Sequence, residues 1–590
     1  MSHTLIYPEP TVIGPDELES PDNWGFADTR FSVDKAGHAT ILGNRYELSG
    51  KTLSGLLPWI RETLQVDLDV NDVHQSNYPT KIPAPREATG FIDEISGFLN
   101  KNQIDFADEN RLRHGHGHTQ EEMFAIKHKS IGRLPDVVLY PELEEQVAGL
   151  IAAAQRHGAT LIPFGGGTNV TDALRCPENE KRFIASIDMR RLNRIRWIDP
   201  ENRLACIEAG AVGRHIMAGL QKYGFSMGHE PDSVEFSTLG GWIATNASGM
   251  KKNKYGNIED IVLDITAATA DGKLERVRAV PRESVGSDLR RLMFGSEGTL
   301  GIITSAVVKL FPLPEAQEYG SVLFPSFEDG FGFMQELTRT ATPPASVRLV
   351  DNPQFQFGHA LKPASAGLPV VKSKLQKFFV TKVKGFDPLK MAPCTLVFEG
   401  TKSEVERQKT QVYSIAAKHG GMKAGSENGR RGYQLTYSIA YIRDFLMNYY
   451  IIAESFETSA AWTDALAICD NVKKKLFEEY KKRSLPGRPF VTSRITQVYQ
   501  TGVAIYFYLG FCYKGIPNPS EVYLELEDIA REEILRSGGS LSHHHGIGKI
   551  RRKFLPQVMS PTALQWKKEI KQALDPMNIF GAGNQNLETE

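Results

Sequence analysis

Apolar residues along the chain occur either at helical spacing or in short blocks typical of buried strands. Residues 142–157 (ELEEQVAGLIAAAQRH) place apolar side chains at helical spacing, begin with acidic residues and are followed by Gly158, so a helix is predicted there. A strand is predicted at 160–164, directly before three glycines. The apolar run 503–513 is rich in aromatic and β-branched residues, which indicates a second buried strand. This run is too short to cross a bilayer, which takes roughly 20 residues.

The remaining pattern mixes both kinds of element. Further helices are predicted at 439–450 and 462–482, and a strand is predicted at 305–311. Between 182 and 314, short β-type segments alternate with helices and glycine-rich turns. The chain is therefore predicted to be a mixed α and β protein.

Composition narrows the class of protein without identifying it. The 590 residues are 41% hydrophobic and 24% charged, which is typical of a soluble globular protein. A net charge of -1 argues against a protein devoted to nucleic acid. Five scattered cysteines without a CxxC pair argue against a disulfide framework and a cysteine-based zinc site. The basic runs 251–254, 473–475 and 549–553 are predicted to be solvated surfaces.

The first candidate motif is the glycine loop PFGGGTNV at 163–170. Successive glycines let backbone N–H groups converge on a phosphate. A P-loop would need Gly-Lys-Ser/Thr after the glycines, and that sequence is absent. A Rossmann turn would need a helix at once, although Asp188 stands at about the expected distance of 20 residues. A plain glycine turn is the third interpretation, so the loop alone leaves a dinucleotide site open.

Two further segments have compositions suited to a polar ligand. Residues 228–260 (GHEPDSVEFSTLGGWIATNASGMKKNKYGNIED) are rich in Gly, Ser, Thr and Asn, and a solvated loop of this length would be unusual in a compact domain. The alternative is an irregular surface loop. Residues 294–304 (FGSEGTLGIIT) lead into the predicted strand at 305–311.

In this order and at these distances, the three segments resemble FAD-binding flavoproteins of the vanillyl-alcohol-oxidase (PCMH) type. The resemblance implies an α+β fold: an FAD-binding domain of two α+β subdomains at 134–314 and an α+β substrate (cap) domain at 315–540. It also implies helical extensions at both ends: 1–133, helical from about 90, and 541–590, whose histidines return to the flavin site. Because no His or Cys stands between 163 and 170, non-covalent FAD is expected.

The same resemblance implies which residues hold FAD. The first group would cradle the pyrophosphate, the next two the pyrophosphate and flavin, and the last the adenine side and the isoalloxazine edge. These residues are Pro163, Phe164, Gly165, Gly166, Gly167, Thr168 and Asn169; Asp232, Ser233, Val234, Glu235, Phe236, Ser237 and Thr238; Thr245, Asn246, Ala247 and Ser248; Glu297, Gly298, Thr299, Leu300, Gly301, Ile302 and Ile303.

Other phrases are similar to the alkylglycerone-phosphate synthase family of ether-lipid (plasmalogen) synthesis. They include GHEPDS at 228–233, NASGMKKN at 246–253, QFQFGHALKP at 354–363, ESFETSA at 454–460 and SLSHHHG at 540–546. The resemblance implies a transferase that exchanges the acyl group of 1-acyl-dihydroxyacetone phosphate for a long-chain fatty alcohol. The products are 1-alkyl-dihydroxyacetone phosphate and a fatty acid, formed without net redox change through an adduct at flavin N5.

That reaction needs a phosphate anchor, and arginine binds phosphate oxygens bidentately. Arg443 is the predicted anchor by resemblance, since the sequence alone favours a surface position on an amphipathic helix. Arg348 is a second candidate, with a structural ion pair as the alternative. His229 and Ser296 lie in FAD-lining motifs and are further candidates for substrate contact.

The reaction also needs groups that move protons beside the flavin. Tyr506 shares one face of the predicted strand with Tyr508, and the resemblance makes it the main catalytic tyrosine rather than a core aromatic. His543, His544 and His545 are expected in extended chain, where 543 and 545 point the same way. An imidazole can relay a proton near pH 7. His545 is the predicted base, with His543 or His544 in support; each could instead be a satisfied structural histidine, and a metal is not predicted.

Two alternatives stay open at this stage. An FAD-dependent D-2-hydroxyacid dehydrogenase would share the FAD domain, and a non-catalytic flavin-bearing binder would keep only the glycine motifs. The resemblance also implies a peroxisomal, lumenal, membrane-associated protein and suggests a homodimer. Neither end carries a peroxisomal signal of recognised form, and no nucleic-acid partner is expected.

Overall fold

The computed structural model describes residues 4–10, 18–340, 343–363 and 379–587. The described residues form two compact units. Unit 1 contains 4–10, 77–313 and 544–587, and unit 2 contains 18–76 and the described part of 314–543. Within the described residues, no helix combines the length and apolarity that a membrane-crossing segment needs.

Unit 1 contains a small, mostly parallel sheet and a larger antiparallel one. The first has the spatial order Ile104–Asp105, Val137–Leu139, Ile184–Asp188, Thr160–Phe164, and only its first pair is antiparallel. The second has the order Gly272–Leu274, Val262–Thr269, Ile302–Lys309, Leu204–Glu208, Ile195–Asp199. Phe225–Ser226 and Phe311–Pro312 form a separate pair.

The helix predicted at 142–157 is confirmed as Glu144–His157. Its apolar face, including Val147 and Leu150, is fully buried together with Ile187 of the parallel sheet. The helix ends because Gly158 adopts the left-handed conformation. The described helices of unit 1 are Thr89–Ile95, Asp108–Arg113, Gln120–His128, Glu144–His157, Gly213–Gln221, Leu239–Thr245, Lys252–Tyr255, Ile258–Ile261, Leu555–Val558 and Pro561–Leu574.

Unit 2 is built on one seven-stranded antiparallel sheet. Its spatial order is Met422–Lys423, Ala316–Phe324, Ala392–Gly400, Ser346–Val350, Phe490–Val498, Gly502–Cys512, Ile451–Ala461. The strand predicted at 503–513 is confirmed as Gly502–Cys512. It is paired on both sides with long strands, and almost all of its residues are buried. A three-stranded sheet, Phe31–Val33, Ala39–Ile41 and Thr52–Leu53, accompanies it. The described helices are Leu56–Leu64, Phe327–Thr340, Asn352–Ala360, Lys402–Lys418, Ser426–Gln434, Ile439–Met447, Ala465–Lys482 and Pro519–Arg536.

The predicted N-terminal extension is divided between the two units. Residues 18–76 belong to unit 2, because Leu56 and Ile60 form one buried cluster with Phe357 and Phe445. The described residues of 1–133 therefore contribute to both units. The other predicted domain boundaries stay predictions.

Two of the basic runs are not solvated surfaces. Lys251 is buried and its Nζ donates to Glu230 Oε1 at 2.7 Å. In the last run, Arg551 is 1% exposed and donates to the carbonyl of Gly546 at 2.9 Å. Burial of these cations is tolerated because each donates a hydrogen bond: Lys251 to a carboxylate 21 residues away, and Arg551 to a backbone carbonyl.

Candidate active site

The four segments predicted to hold FAD lie in direct contact within unit 1. A Cβ on Gly166 would stand 2.1 Å from the carbonyl oxygen of Phe236, and one on Gly165 would stand 2.4 Å from Thr238 Oγ1. Gly298, at φ +71°, would bring a Cβ within 3.1 Å of Pro163. Only glycine allows the first and second segments to approach this closely.

The helix that leads into the third segment is joined to the fourth segment through the backbone. Thr238 caps the helix Leu239–Thr245 by accepting from the N–H of Gly241. At the other end of this helix, Glu297 N–H donates to the carbonyl of Ala244 at 2.8 Å. Segments that are far apart in sequence are therefore held together by hydrogen bonds within the protein itself.

Polar atoms inside these motifs fit a ligand rich in phosphate and ring heteroatoms. Asn169 Nδ2, both ring nitrogens of His229 and Ser296 Oγ are buried and lack a hydrogen-bond partner among the residues that the structure describes. Buried polar groups are normally satisfied, so such atoms indicate a bound group. A glycine-lined approach combined with these donors fits FAD.

Glu297 also has a structural role that was not predicted from the sequence: its carboxylate binds the backbone after the triple histidine. Its buried carboxylate accepts from the backbone N–H of Ile547 at 2.7 Å and of Gly548 at 2.9 Å. Gln585 Nε2 donates to the same group at 2.9 Å. Burial raises the pKa of this carboxyl group, and the hydrogen bonds oppose that shift. Glu297 thus fixes the chain that follows the triple histidine.

The chain is bent at the triple histidine, so the extended conformation expected there is not formed. In unit 1, the rings of His544 and His545 lie 4.7 Å apart, and the ring of His229 packs on Trp242 at 4.8 Å. Burial, and after it the neighbouring His544, lowers the pKa of His229 to about 3. His229 is therefore neutral at physiological pH.

A second histidine motif, His114-Gly-His116-Gly-His118, supports the glycine loop and was missed. The backbone N–H of His118 donates to the carbonyl of Asn169 at 2.8 Å. His114 Nε2 lies 2.8 Å from Asp188 Oδ2, and Arg190 binds the same carboxylate. Asp188 is thus a structural anion rather than a ribose ligand. No helix follows Phe164 directly, so the Rossmann interpretation is wrong. The alternation of His and Gly was the available signal.

In unit 2, Tyr506 lies in a row of polar side chains across three strands. Its register partners are Arg494 on one side and Glu457 on the other. The guanidinium of Arg494 lies 4.7 Å from the ring centroid of Tyr506 and 4.9 Å from that of Tyr508. The shared face of the two tyrosines is confirmed. Arg494 was missed, because its role depends on strand pairing.

Glu457 also fixes the beginning of the histidine segment. Its carboxylate accepts from Ser542 Oγ at 2.7 Å and from the backbone N–H of His543. His543 Nε2 lies 2.6 Å from the hydroxyl of Tyr499. The ring of His543 is thus oriented by a hydroxyl and its backbone by a buried carboxylate.

A cavity of about 1430 Å³ lies within unit 2. It exceeds the roughly 300–1,000 Å³ usual for a small-molecule site. Its lining combines apolar side chains with cations and one carboxylate, that of Glu62. The apolar members include Trp59, Phe355, Phe357, Met391, Leu435 and Ile439; the cations are Arg348, Lys362, Lys423, Arg431 and Arg494.

The two predicted phosphate anchors have different surroundings. Arg348 lines this cavity, and its Nη1 donates to Thr436 Oγ1 at 2.7 Å. Arg443 is part-buried between carboxylates: its Nε donates to Asp444 at 2.8 Å and its Nη1 to Glu454 at 3.2 Å. The charge of Arg443 is therefore already compensated.

Comparisons with known proteins agree with this geometry. A model of the family "FAD binding domain" matches residues 135–278, and one of "FAD linked oxidases, C-terminal domain" matches 313–584. A solved structure of p-cresol methylhydroxylase with substrate bound has the same fold, with a TM-score of 0.65 at 14% identity over 85% of this chain and 98% of the other. The protein is thus an FAD-linked flavoprotein with the vanillyl-alcohol-oxidase fold, as predicted.

Closer relatives narrow the family. Alkyldihydroxyacetonephosphate synthase from Caenorhabditis elegans is 43% identical over 572 residues, covering 96% of this chain and 95% of that protein. A solved structure of an alkyldihydroxyacetonephosphate synthase has a TM-score of 0.84 at 28% identity, covering 97% of this chain and 99% of the other. The chain belongs to the alkyldihydroxyacetonephosphate (alkylglycerone-phosphate) synthase family.

Proposed function

We propose that this protein exchanges the acyl group of 1-acyl-dihydroxyacetone phosphate for a long-chain fatty alcohol. The observation that carries the proposal is the 43% identity to a synthase of that name along nearly the whole of both chains. The cavity of unit 2 supports it, since apolar walls suit an alkyl chain and cations suit a phosphate or carboxylate. The dehydrogenase alternative would need a cation for the carboxylate of its 2-hydroxyacid but not the extended apolar walls, since a substrate such as lactate has no long alkyl chain.

The exchange replaces one bond at C1 of the glycerone. The bond from C1 to the acyl oxygen breaks, the fatty acid leaves as its carboxylate, and the alcohol oxygen forms the new bond to C1. FAD, when bound, supplies the electron acceptor and donor that make this possible without net oxidation. The pyrophosphate would lie against the glycine loop 163–169, and His229 and Ser296 would offer polar contacts.

Proton transfer is assigned to histidine and tyrosine side chains. We assign removal of a C1 proton to His545 and support for it to His544 and His543, because an imidazole accepts protons near neutral pH. Tyr506 is proposed to exchange a proton with the reacting groups while Arg494 holds its ring. His543 is oriented by Tyr499, which suits a supporting role.

The substrate phosphate is assigned to Arg348 before Arg443. Arg348 lines the cavity, whereas Arg443 already binds two carboxylates. The test is a pair of single variants, Arg348→Met and Arg443→Met, assayed for the KM of palmitoyl-dihydroxyacetone phosphate. Arg348→Met is expected to raise KM by about 10-fold or more, the value of one charged hydrogen bond.

Peroxisomal localisation, peripheral membrane contact and a homodimer are proposed from the family alone. Their tests are direct: imaging of the tagged chain with a peroxisomal marker, sedimentation with vesicles, and light scattering of the purified protein.

The proposed function is tested by incubating purified holoenzyme with palmitoyl-dihydroxyacetone phosphate and hexadecanol. Formation of hexadecyl-dihydroxyacetone phosphate and palmitate in equal amounts is expected. Absence of the ether product from a flavin-loaded protein would contradict the proposal.

A further inference from the structure

Two part-buried cations of the unit 2 cavity come from different elements. Lys362 follows the helix Asn352–Ala360, and its backbone N–H donates to the carbonyl of His359 at 3.0 Å. Arg431 belongs to the helix Ser426–Gln434. Both line the cavity together with its apolar walls.

Neither cation forms an ion pair with a carboxylate among the described residues. The carboxylates that interact electrostatically with Arg431 are those of Glu427 and Glu47. Both of them are hydrogen-bonded to the neighbouring Arg430, at 3.0 Å and 2.8 Å. The segment 364–378, which lies outside the described residues, contains no Asp or Glu in its sequence. Among the described residues, the positive charge of this pair is therefore not compensated by an ion pair.

The two cations also disfavour each other. Burial lowers the pKa of Lys362 to about 8, and the proximity of Arg431 adds to the effect. Burial likewise lowers the pKa of Arg431. Partly buried like charges are costly unless an anion joins them.

We infer that Lys362 and Arg431 form a subsite for the carboxylate of a long-chain fatty acid, whose alkyl chain lies along Trp59, Phe357 and Leu435. The chemistry fits an amphiphile with one anionic head joined directly to an apolar tail. This inference rests on the proposed function for the identity of the acid, namely the fatty acid released from the acyl substrate. The subsite would hold that product apart from the incoming alcohol, which has no charge for the cations to bind.

The test compares a fatty acid with the alcohol of the same chain. Holoenzyme is titrated with cis-parinaric acid and with parinaryl alcohol, both followed by fluorescence, in the wild type and in the double variant Lys362→Gln/Arg431→Gln. The acid is expected to bind the wild type about 10-fold more tightly than the alcohol, the value of a charge-assisted contact. The double variant is expected to lose this preference while its affinity for the alcohol stays within about twofold.

Two matched control variants distinguish loss of the subsite from a general change of charge or a loss of folding. Lys474→Gln removes an exposed cation of the helix Ala465–Lys482 and should keep the preference. Lys362→Arg/Arg431→Lys retains both charges and should also keep it, so a double glutamine variant that misfolds would not leave the inference untested. Flavin content reports on folding in each case.

Three outcomes would overturn the inference. The acid and the alcohol could bind the wild type equally, or both could weaken equally in the double variant. Alternatively, inhibition by palmitate could stay unchanged while the KM of palmitoyl-dihydroxyacetone phosphate rises, which would assign the pair to the substrate phosphate. Synthase activity is measured in parallel: activity without acid preference rejects the subsite alone, and acid preference without activity rejects the proposed function alone.

Discussion

The glycine-lined motifs of unit 1 and the cavity of unit 2 are built in opposite ways. In unit 1, four short sequence segments supply backbone, and glycines set how closely they approach. In unit 2, side chains from several helices and strands converge, and no single segment defines the cavity. A backbone site is therefore visible as sequence motifs, whereas a side-chain site becomes visible only after folding.

The largest effect is expected for Arg443, a side-chain contact of unit 2 that links two carboxylates. Replacing it by Met removes the cation that lies between the carboxylates of Asp444 and Glu454, and breaking a largely buried ion pair typically costs about 3–5 kcal/mol. A marked fall in melting temperature is expected, measured by thermal denaturation of the holoenzyme. Arg443→Lys is the control, because it retains the charge. A Met variant of normal stability with a strongly raised KM for the acyl substrate would show instead that Arg443 is the phosphate anchor.

Gly166→Ala tests the backbone site. The added Cβ would stand 2.1 Å from the carbonyl oxygen of Phe236, so the first two segments must separate. Overpacking of about 3 kcal/mol corresponds to about a 100-fold rise in the Kd for FAD. Flavin absorbance per protein after gel filtration measures it. Gly158→Asn is the control, since that position is open and asparagine tolerates its left-handed conformation. Unchanged flavin content in Gly166→Ala would contradict the assignment.

Tyr506→Phe tests whether the polar row of unit 2 takes part in the reaction. Loss of a proton-transferring hydroxyl is expected to lower kcat by about 100-fold or more without loss of flavin. Tyr508→Phe is a closely matched control, because Arg494 contacts both rings on the same face. Equal kcat values for the two variants would reduce Tyr506 to a packing role.

The smallest effect is expected for His229, whose lowered pKa makes folding stability depend on pH. The folded-state pKa of about 3 lies below the unfolded value of about 6.5, so the unfolded chain binds the proton first. As pH falls from about 6.5 toward 3, His229 therefore removes stability at about 1.4 kcal/mol per pH unit. His229→Gln should be less sensitive to acid than the wild type, judged from melting temperatures at pH 5 and pH 7.5. Equal sensitivity would contradict its buried, neutral state.

Local patterns predicted the regular elements well. The helix Glu144–His157 and the strands Thr160–Phe164 and Gly502–Cys512 follow from spacing, caps and residue type. These signals need no distant partner, so one stretch of sequence contains all the information.

Pairing between distant residues explains the wrong predictions. The triple histidine is bent because Glu457 binds the backbone N–H of His543 and Glu297 binds those of Ile547 and Gly548. Lys251 is buried because Glu230 compensates it. The position of Arg494 beside Tyr506 depends on strand register, which composition does not reveal.

The proposed function requires the flavin-loaded protein to form an ether without net oxidation. The most direct measurement supplies the holoenzyme with palmitoyl-dihydroxyacetone phosphate and hexadecanol labelled with ¹⁸O, and follows products by mass spectrometry and the flavin by absorbance. We expect the label to be kept in hexadecyl-dihydroxyacetone phosphate, with one palmitate released per ether and the flavin oxidised at the end. Lasting flavin reduction by D-lactate, together with no ether product, would contradict it.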